Sequence, residues 1–132
     1  MLDHVGIAVS DFDRSRAFYE HALGPLGLAV QLAVTEAQSG GRYKGLGFGN
    51  PGKPGFWVGW SPPGKPSGPV HVAFAAPDRA TVNAFHAAAL AAGGGDNGAP
   101  GLRPHYHANY YAAFVLDPDG NNIEAVSHAP SV

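Results

Sequence analysis

Leu2-Asp3-His4-Val5-Gly6-Ile7-Ala8-Val9-Ser10 is a short, β-branched, apolar run that ends on a helix-start signal at Ser10-Asp11. It predicts a β-strand. Side chains of a strand alternate between its faces, so Val5, Ile7 and Val9 share one side, and Leu2, His4, Gly6 and Ala8 the other. His4 is then the one polar group on a face of small residues. The same pattern returns at His71-Val72-Ala73-Phe74-Ala75-Ala76-Pro77-Asp78, 67 positions later and close to half of the 132-residue chain.

An ungapped comparison of positions 4–27 with 71–94 finds nine identities in 24 positions, among them His4/His71, Asp11/Asp78, Phe18/Phe85 and Leu23/Leu90. Similarity at a fixed offset points to a duplicated supersecondary unit. Working outward from His4, a helix capped by Ser10 or Asp11 runs to about Leu23 and stops at Gly24-Pro25. Strands are expected over Leu28–Thr35, over the glycine-rich Arg42–Gly49, and over Phe56–Trp60 after a long turn at 50–55. The proline-rich stretch 61–69 is a stiff linker. The order then repeats: a strand at His71, a helix from Asp78 to about Ala92, a weak strand signal near Asp96–Arg103, a strong strand Tyr110–Asp117 and a last strand Asn122–Ser127. Asp117-Pro118-Asp119-Gly120 fits a type I turn with Gly120 in the left-handed position. The expected architecture is α+β: two tandem βαβββ modules in one domain over 1–132, with module one at 1–60, the linker at 61–69 and module two at 70–128.

Composition narrows the function. With 45% hydrophobic and 14% charged residues, the chain supports a globular core. A net charge of −2 gives no basic footprint for nucleic acid. No apolar run would span a bilayer, and no basic-then-apolar leader is evident, so a cytoplasmic protein without membrane association is expected. The absence of cysteine excludes disulfides, thiolate nucleophiles and sulfur metal sites together.

Glu124 lies in an apolar strand, Asn122-Ile123-Glu124-Ala125-Val126, where a carboxylate is rarely buried unless paired or bound to a cation. If the first strands of both modules lie near a pseudo-two-fold axis beside the last strands, His4, His71 and Glu124 converge. Two imidazoles and a carboxylate are a ligand set for a divalent metal with open positions, and Fe, Mn, Ni and Zn all suit it. Each residue alone has a plainer reading, as a backbone-bonded histidine or a solvated carboxylate.

The paired His-led starts, the Asp117-Pro118-Asp119-Gly120 turn and Glu124 seven residues after Asp117 resemble the vicinal oxygen chelate superfamily. That group includes glyoxalase I, extradiol dioxygenases, fosfomycin and bleomycin resistance proteins and methylmalonyl-CoA epimerase. The resemblance covers nearly the whole chain. It implies paired βαβββ units forming a half-barrel around a metal and substrate cleft, usually in a homodimer, with His4, His71 and Glu124 as metal ligands. Glyoxalase I has a fourth ligand, a Glu on the last strand of module one. The repeat places that station at 57, which here is Trp57, a residue that cannot bind a metal. Extradiol dioxygenases use three ligands but are usually about twice as long.

Arg103-Pro104-His105-Tyr106-His107-Ala108-Asn109-Tyr110-Tyr111 offers further candidates: His107 as general acid or base, Tyr110 as a donor to an oxyanion, and His105 and Tyr106 as substrate contacts. The plainer reading is a polar loop feeding an aromatic strand. If Asp117 pairs with Asn121, Phe114 faces Glu124, Tyr110 points to the cleft and Tyr111 away. Trp57 would wall the same cleft opposite Glu124, and Arg42 would hold an anionic substrate. His21 and His86 are expected at the surface of the helices. The implied function is a metal-dependent enzyme on a small oxygen-rich substrate, by lyase or isomerase chemistry or extradiol ring cleavage. The alternative is a non-catalytic small-molecule or antibiotic-sequestering protein of the bleomycin-resistance type.

Overall fold

The computed structural model describes residues 1–131. Strand β1 (Val5–Ala8) leads into helix α1 (Phe12–Ala22), whose N-terminus is capped by the Asp11 side chain accepting from the Arg14 N–H. Strands β2 (Ala29–Val34), β3 (Lys44–Asn50) and β4 (Lys53–Trp60) complete the first module. The second repeats the order: β5 (His71–Ala75), α2 (Arg79–Ala91) capped by Asp78, then β6 (Gly95–Leu102), β7 (Tyr111–Leu116) and β8 (Asn122–Ser127). The βαβββ duplication is therefore present.

Two four-stranded sheets result, ordered β1-β4-β3-β2 and β5-β8-β7-β6. In each, the last strand pairs in parallel beside the first. Gly6 lies opposite Trp57 in one sheet and Ala73 opposite Glu124 in the other, so the 67-residue offset holds across the strand pairing. Among the described residues no helix is long and apolar enough to cross a membrane.

Two local expectations are corrected, and a weakly signalled third is borne out. The strand placed at Arg42 begins at Lys44, because the Ser39 hydroxyl takes up both the N–H and the carbonyl of Tyr43 in place of a strand partner. The turn expected over 50–55 is tight, with Asn50 already paired to Lys53: Pro51 sets the bend and Gly52 takes φ +79°. The weakly signalled strand near 96–103 is an eight-residue edge strand, β6, with two register shifts. Its glycines hide the usual strand composition and permit the bulges.

One core joins both modules. Ile7, Val9, Leu46, Phe48, Phe56 and Val58 from the first sheet pack with Phe18 and Tyr19 of α1, with Val82 and Phe85 of α2, and with Val115 and Ile123 of the second sheet. Full burial of each Phe contributes about 1.5–3 kcal/mol. The face of each sheet that carries the helices thus lies inside, and the opposite face lies outside this core.

A polar tie crosses between the modules. Asp117, buried at the start of the β7–β8 turn, accepts from the Tyr19 hydroxyl of α1 at 2.5 Å, from the Asn121 side-chain amide at 2.8 Å, and from the backbone N–H groups of Asp119 and Asn121. Ser10 bonds Asp119 by both its backbone N–H and its hydroxyl. Gly120 closes the turn at φ +84°. The motif that looked like a turn signature also fastens module two to the helix of module one.

Candidate functional site

The outer face of the second sheet carries the polar residues. Glu124 is 1% exposed, and its carboxylate has two partners. His71 Nε2 lies 2.7 Å from Oε1, and the Tyr110 hydroxyl donates to Oε2. Both contacts follow from strand geometry. β5 and β8 are parallel neighbours, so His71, two residues before Ala73, is on the same face as Glu124. Phe114 pairs directly with Glu124, as Asp117–Asn121 turn closure requires, and Tyr110 and Phe114 share that face. Tyr111 points to the other side, where its hydroxyl donates to Asn83 of α2.

Among the described residues no lysine or arginine forms an ion pair with Glu124. The Tyr110 phenol is pushed up to about 12, first by its removal from water and then by its bond to Glu124 and the nearby carboxylate charge. It therefore stays protonated and donates near neutral pH. His71, Tyr106, Tyr110, Phe114, Asn97, Asn122 and Glu124 line a recess of about 610 Å³.

The remaining candidates fall around this centre. Tyr106 is exposed and packs at a tilt on His105, centroids 4.1 Å apart, and edge-on to Tyr110 at 5.1 Å. His107 lies further out, edge-on to His128 at 5.6 Å. Arg42 is exposed on the loop before β3. His86 is a correction: its side chain is only 12% exposed, tucked beside Asp96 at 3.1 Å. His21 is at the surface.

His4 is on the outer face of the first sheet, exposed, with Nδ1 2.7 Å from Asp3. It meets His71 only as a fellow lining residue of a cleft of about 480 Å³ between the edges of the two sheets. Among the described residues no group of three His, Cys, Asp or Glu is placed to hold a metal ion. Within one chain, then, two of the three expected ligands converge and the third does not. The reason lies in the packing: both donor-bearing faces are outside the shared core, so the chain's own fold does not close one over the other. An imidazole nitrogen and a carboxylate oxygen are both donor types that a divalent metal takes.

The sequence reading missed residues on the first sheet. Tyr43, Lys53, Asp3 and Val34 join His4, Gly6, Pro54 and Trp57 around a recess of about 590 Å³. The alternation Gly45-Leu46-Gly47-Phe48-Gly49 was the available signal, since it leaves a whole strand face without side chains. Arg103 was also missed. Two carbonyls, of Gly101 and Ala99, hold its guanidinium over the Phe114 ring.

A family model described as glyoxalase/bleomycin resistance protein/dioxygenase superfamily matches residues 1–125. The chain belongs to this superfamily. Among solved structures, a glyoxalase/bleomycin resistance protein from Albidiferax ferrireducens is 31% identical, with 96% of this chain and 97% of that one covered and a TM-score of 0.71. Glyoxalase I from Zea mays is 20% identical over 98% of this chain, with a TM-score of 0.72. This chain spans 45% of that protein, and the likeness is one of fold. A glyoxylase/bleomycin resistance protein/dioxygenase domain from Frankia sp. shares the fold at 16% identity, with 96% of each chain covered and a TM-score of 0.72. No curated protein matches the chain. The two-module, half-barrel arrangement expected from the sequence is the arrangement of this superfamily.

Proposed function

We propose that this superfamily member is a divalent-metal-dependent enzyme acting on a small oxygen-rich organic substrate, by lyase or isomerase chemistry or by extradiol-type ring cleavage. One observation carries the reading. Glu124 is a buried carboxylate whose partners are an imidazole nitrogen of His71 and the hydroxyl of Tyr110, with no lysine or arginine paired to it among the described residues. Burying a carboxylate that has hydrogen bonds but no fixed counter-charge still costs several kcal/mol, on the order of the penalty for a buried ion. A bound cation offsets that cost.

In this reading His71 and Glu124 of one copy, with His4 of a second, hold Fe, Mn, Ni or Zn, and the protein works as a homodimer. The ion would supply a Lewis acid that stabilises negative charge on a substrate oxygen. Tyr110 holds the second oxygen of Glu124 and keeps its orientation. Tyr106 and Phe114 bound the substrate, His105 supports Tyr106, and His107 at the rim is available for proton transfer.

The test is elemental analysis of purified protein after dialysis against each of the four metals. About one bound ion per chain is expected, lost in Glu124→Gln and in His71→Ala with the fold intact by circular dichroism. A wild type that takes up none, or a Glu124→Gln variant that takes up as much, overturns the reading.

A second reading has its own support. A single chain brings together two donors and not three, and its first sheet presents aromatic rings. A non-catalytic binder that sequesters a small molecule needs no more than that. Tight ligand binding by metal-free protein, with no turnover in any metal-loaded form, would favour it.

A further inference from the structure

We infer that the outer face of the first sheet is a stacking site for a planar aromatic ring, with Trp57 and Tyr43 as the residues that select it. This names the substrate class of the cleft proposed above and rests on that reading to that extent.

The strand sequences show how the face is built. Trp57 is flanked by glycine on both neighbouring strands, Gly6 of β1 and Gly47 of β3. The next pair outward is Gly45 with Gly59. Glycine inside a strand costs about 0.5–1 kcal/mol relative to alanine, and a strand glycine often marks a close approach to the backbone. Here the approaching groups are the two rings and, over Gly47, the Pro54 side chain at 2.6 Å. A Cβ on Gly47 would stand 2.9 Å from the Trp57 indole, and one on Gly45 or Gly59 would stand 2.2 or 2.5 Å from the Tyr43 phenol oxygen. Both rings therefore lie down against bare backbone.

The consequence is chemical. A ring that packs one face on glycine offers the other face to whatever enters the recess, without side chains from neighbouring strands to block it. Trp57 and Tyr43 are both half-buried, and both line the recess of about 590 Å³. Flat rings favour offset stacking with another π-system, and stacking on an aromatic side chain is worth about 1–3 kcal/mol for a nucleobase-sized ring. At one end the Lys53–Asp3 ion pair, 2.8 Å, and His4 supply polar groups for substituents on such a ring.

The repeat makes the division of roles explicit. Offset by 67, Tyr43 corresponds to Tyr110, Gly47 to Phe114 and Trp57 to Glu124. The second sheet spends these stations on a hydrogen-bonded carboxylate, and the first spends them on two rings and a floor.

The experiment is isothermal titration calorimetry on chelator-treated, metal-free protein. The probes are naphthalene-2-carboxylate and decahydronaphthalene-2-carboxylate, which match in charge and differ in planarity. The planar probe should bind about tenfold or more tightly. Trp57→Leu should erase the preference, Trp57→Phe should keep part of it, and Tyr43→Leu should reduce it. Equal affinities, a preference that survives Trp57→Leu, or a face sealed by a second copy so that neither probe binds would overturn the inference. Metal uptake measured in parallel separates the two ideas. Loss of planar preference with normal uptake sinks the stacking site alone. Planar preference without uptake leaves it standing and sinks the metal reading.

Discussion

Trp57 and Glu124 occupy one station in the two halves of the molecule: each sits on the last strand of its module, two strands are paired to it, and each turns its side chain to the outer face. Trp57 lies between Gly6 and Gly47, and Glu124 between Ala73 and Phe114. The half-barrel is symmetric in backbone and asymmetric in chemistry.

If each metal centre draws His4 from one copy and His71 with Glu124 from another, two defective variants should complement. His4→Ala and His71→Ala, each metal-free when pure, should regain about one quarter of wild-type uptake after equimolar unfolding and refolding together, because half of a random dimer population then carries one intact site of two. Elemental analysis reads the result directly. No recovery, with mixed dimers demonstrated, would rule out the shared site.

Tyr110→Phe removes the donor to one oxygen of a carboxylate that is 1% exposed. Metal-free protein should lose about 1–3 kcal/mol by urea denaturation, the cost of leaving a buried acceptor unmade. Metal-loaded protein should lose less, since the ion partly fixes the same carboxylate.

Alkaline stability should depend on Tyr19. Burial first, then the charge and hydrogen bond of Asp117, push its phenol far above the ordinary value of 10.0. The folded state therefore keeps a proton that the unfolded chain gives up. That contribution is complete below the unfolded value and declines as pH rises above it toward the folded one. Melting temperature should fall steadily above pH 10 in wild type, and the slope should flatten in Tyr19→Phe. An equal slope in both proteins would assign the loss to other groups.

Glycine substitutions on β3 should separate by what they strike. At Gly49 a Cβ would meet the Lys53 carbonyl oxygen at 2.0 Å, which is backbone and cannot step aside. Gly49→Ala should cost about 1–3 kcal/mol or more, as overpacking does. At Gly45 the obstacle is the end of the Tyr43 side chain, so Gly45→Ala should cost less stability while lifting the ring and weakening planar-probe binding. Paired denaturation and calorimetry on both variants decide it.

Much of this was legible in the chain. The offset between His4 and His71 predicted the duplication, and the same offset carried from 57 to 124 holds in the strand pairing. The Asp117–Asn121 closure was enough to send Tyr110 to Glu124 and Tyr111 to the helix, because strand alternation leaves no third choice. What could not be read was which faces meet. Alternation puts His4 and His71 on outer faces, but only tertiary packing decides that both lie outside one shared core. Tyr43 was passed over although it fell inside the expected strand, because a glycine run shows that something lies close without saying what. His86 was read as surface because its partner Asp96 is on β6, the strand whose glycines obscured it.

The bond from Tyr19 to Asp117 has a bearing on how such chains can be recombined. It couples a side chain near position 19 to one near position 117 across the proline-rich joint, in a setting where neither is free to find water. A chimera cut between residues 61 and 69 would inherit its two halves from different parents. It should fold poorly when only one half brings its member of the pair, so exchange of modules with this chain is gated by an interior contact that touches no ligand.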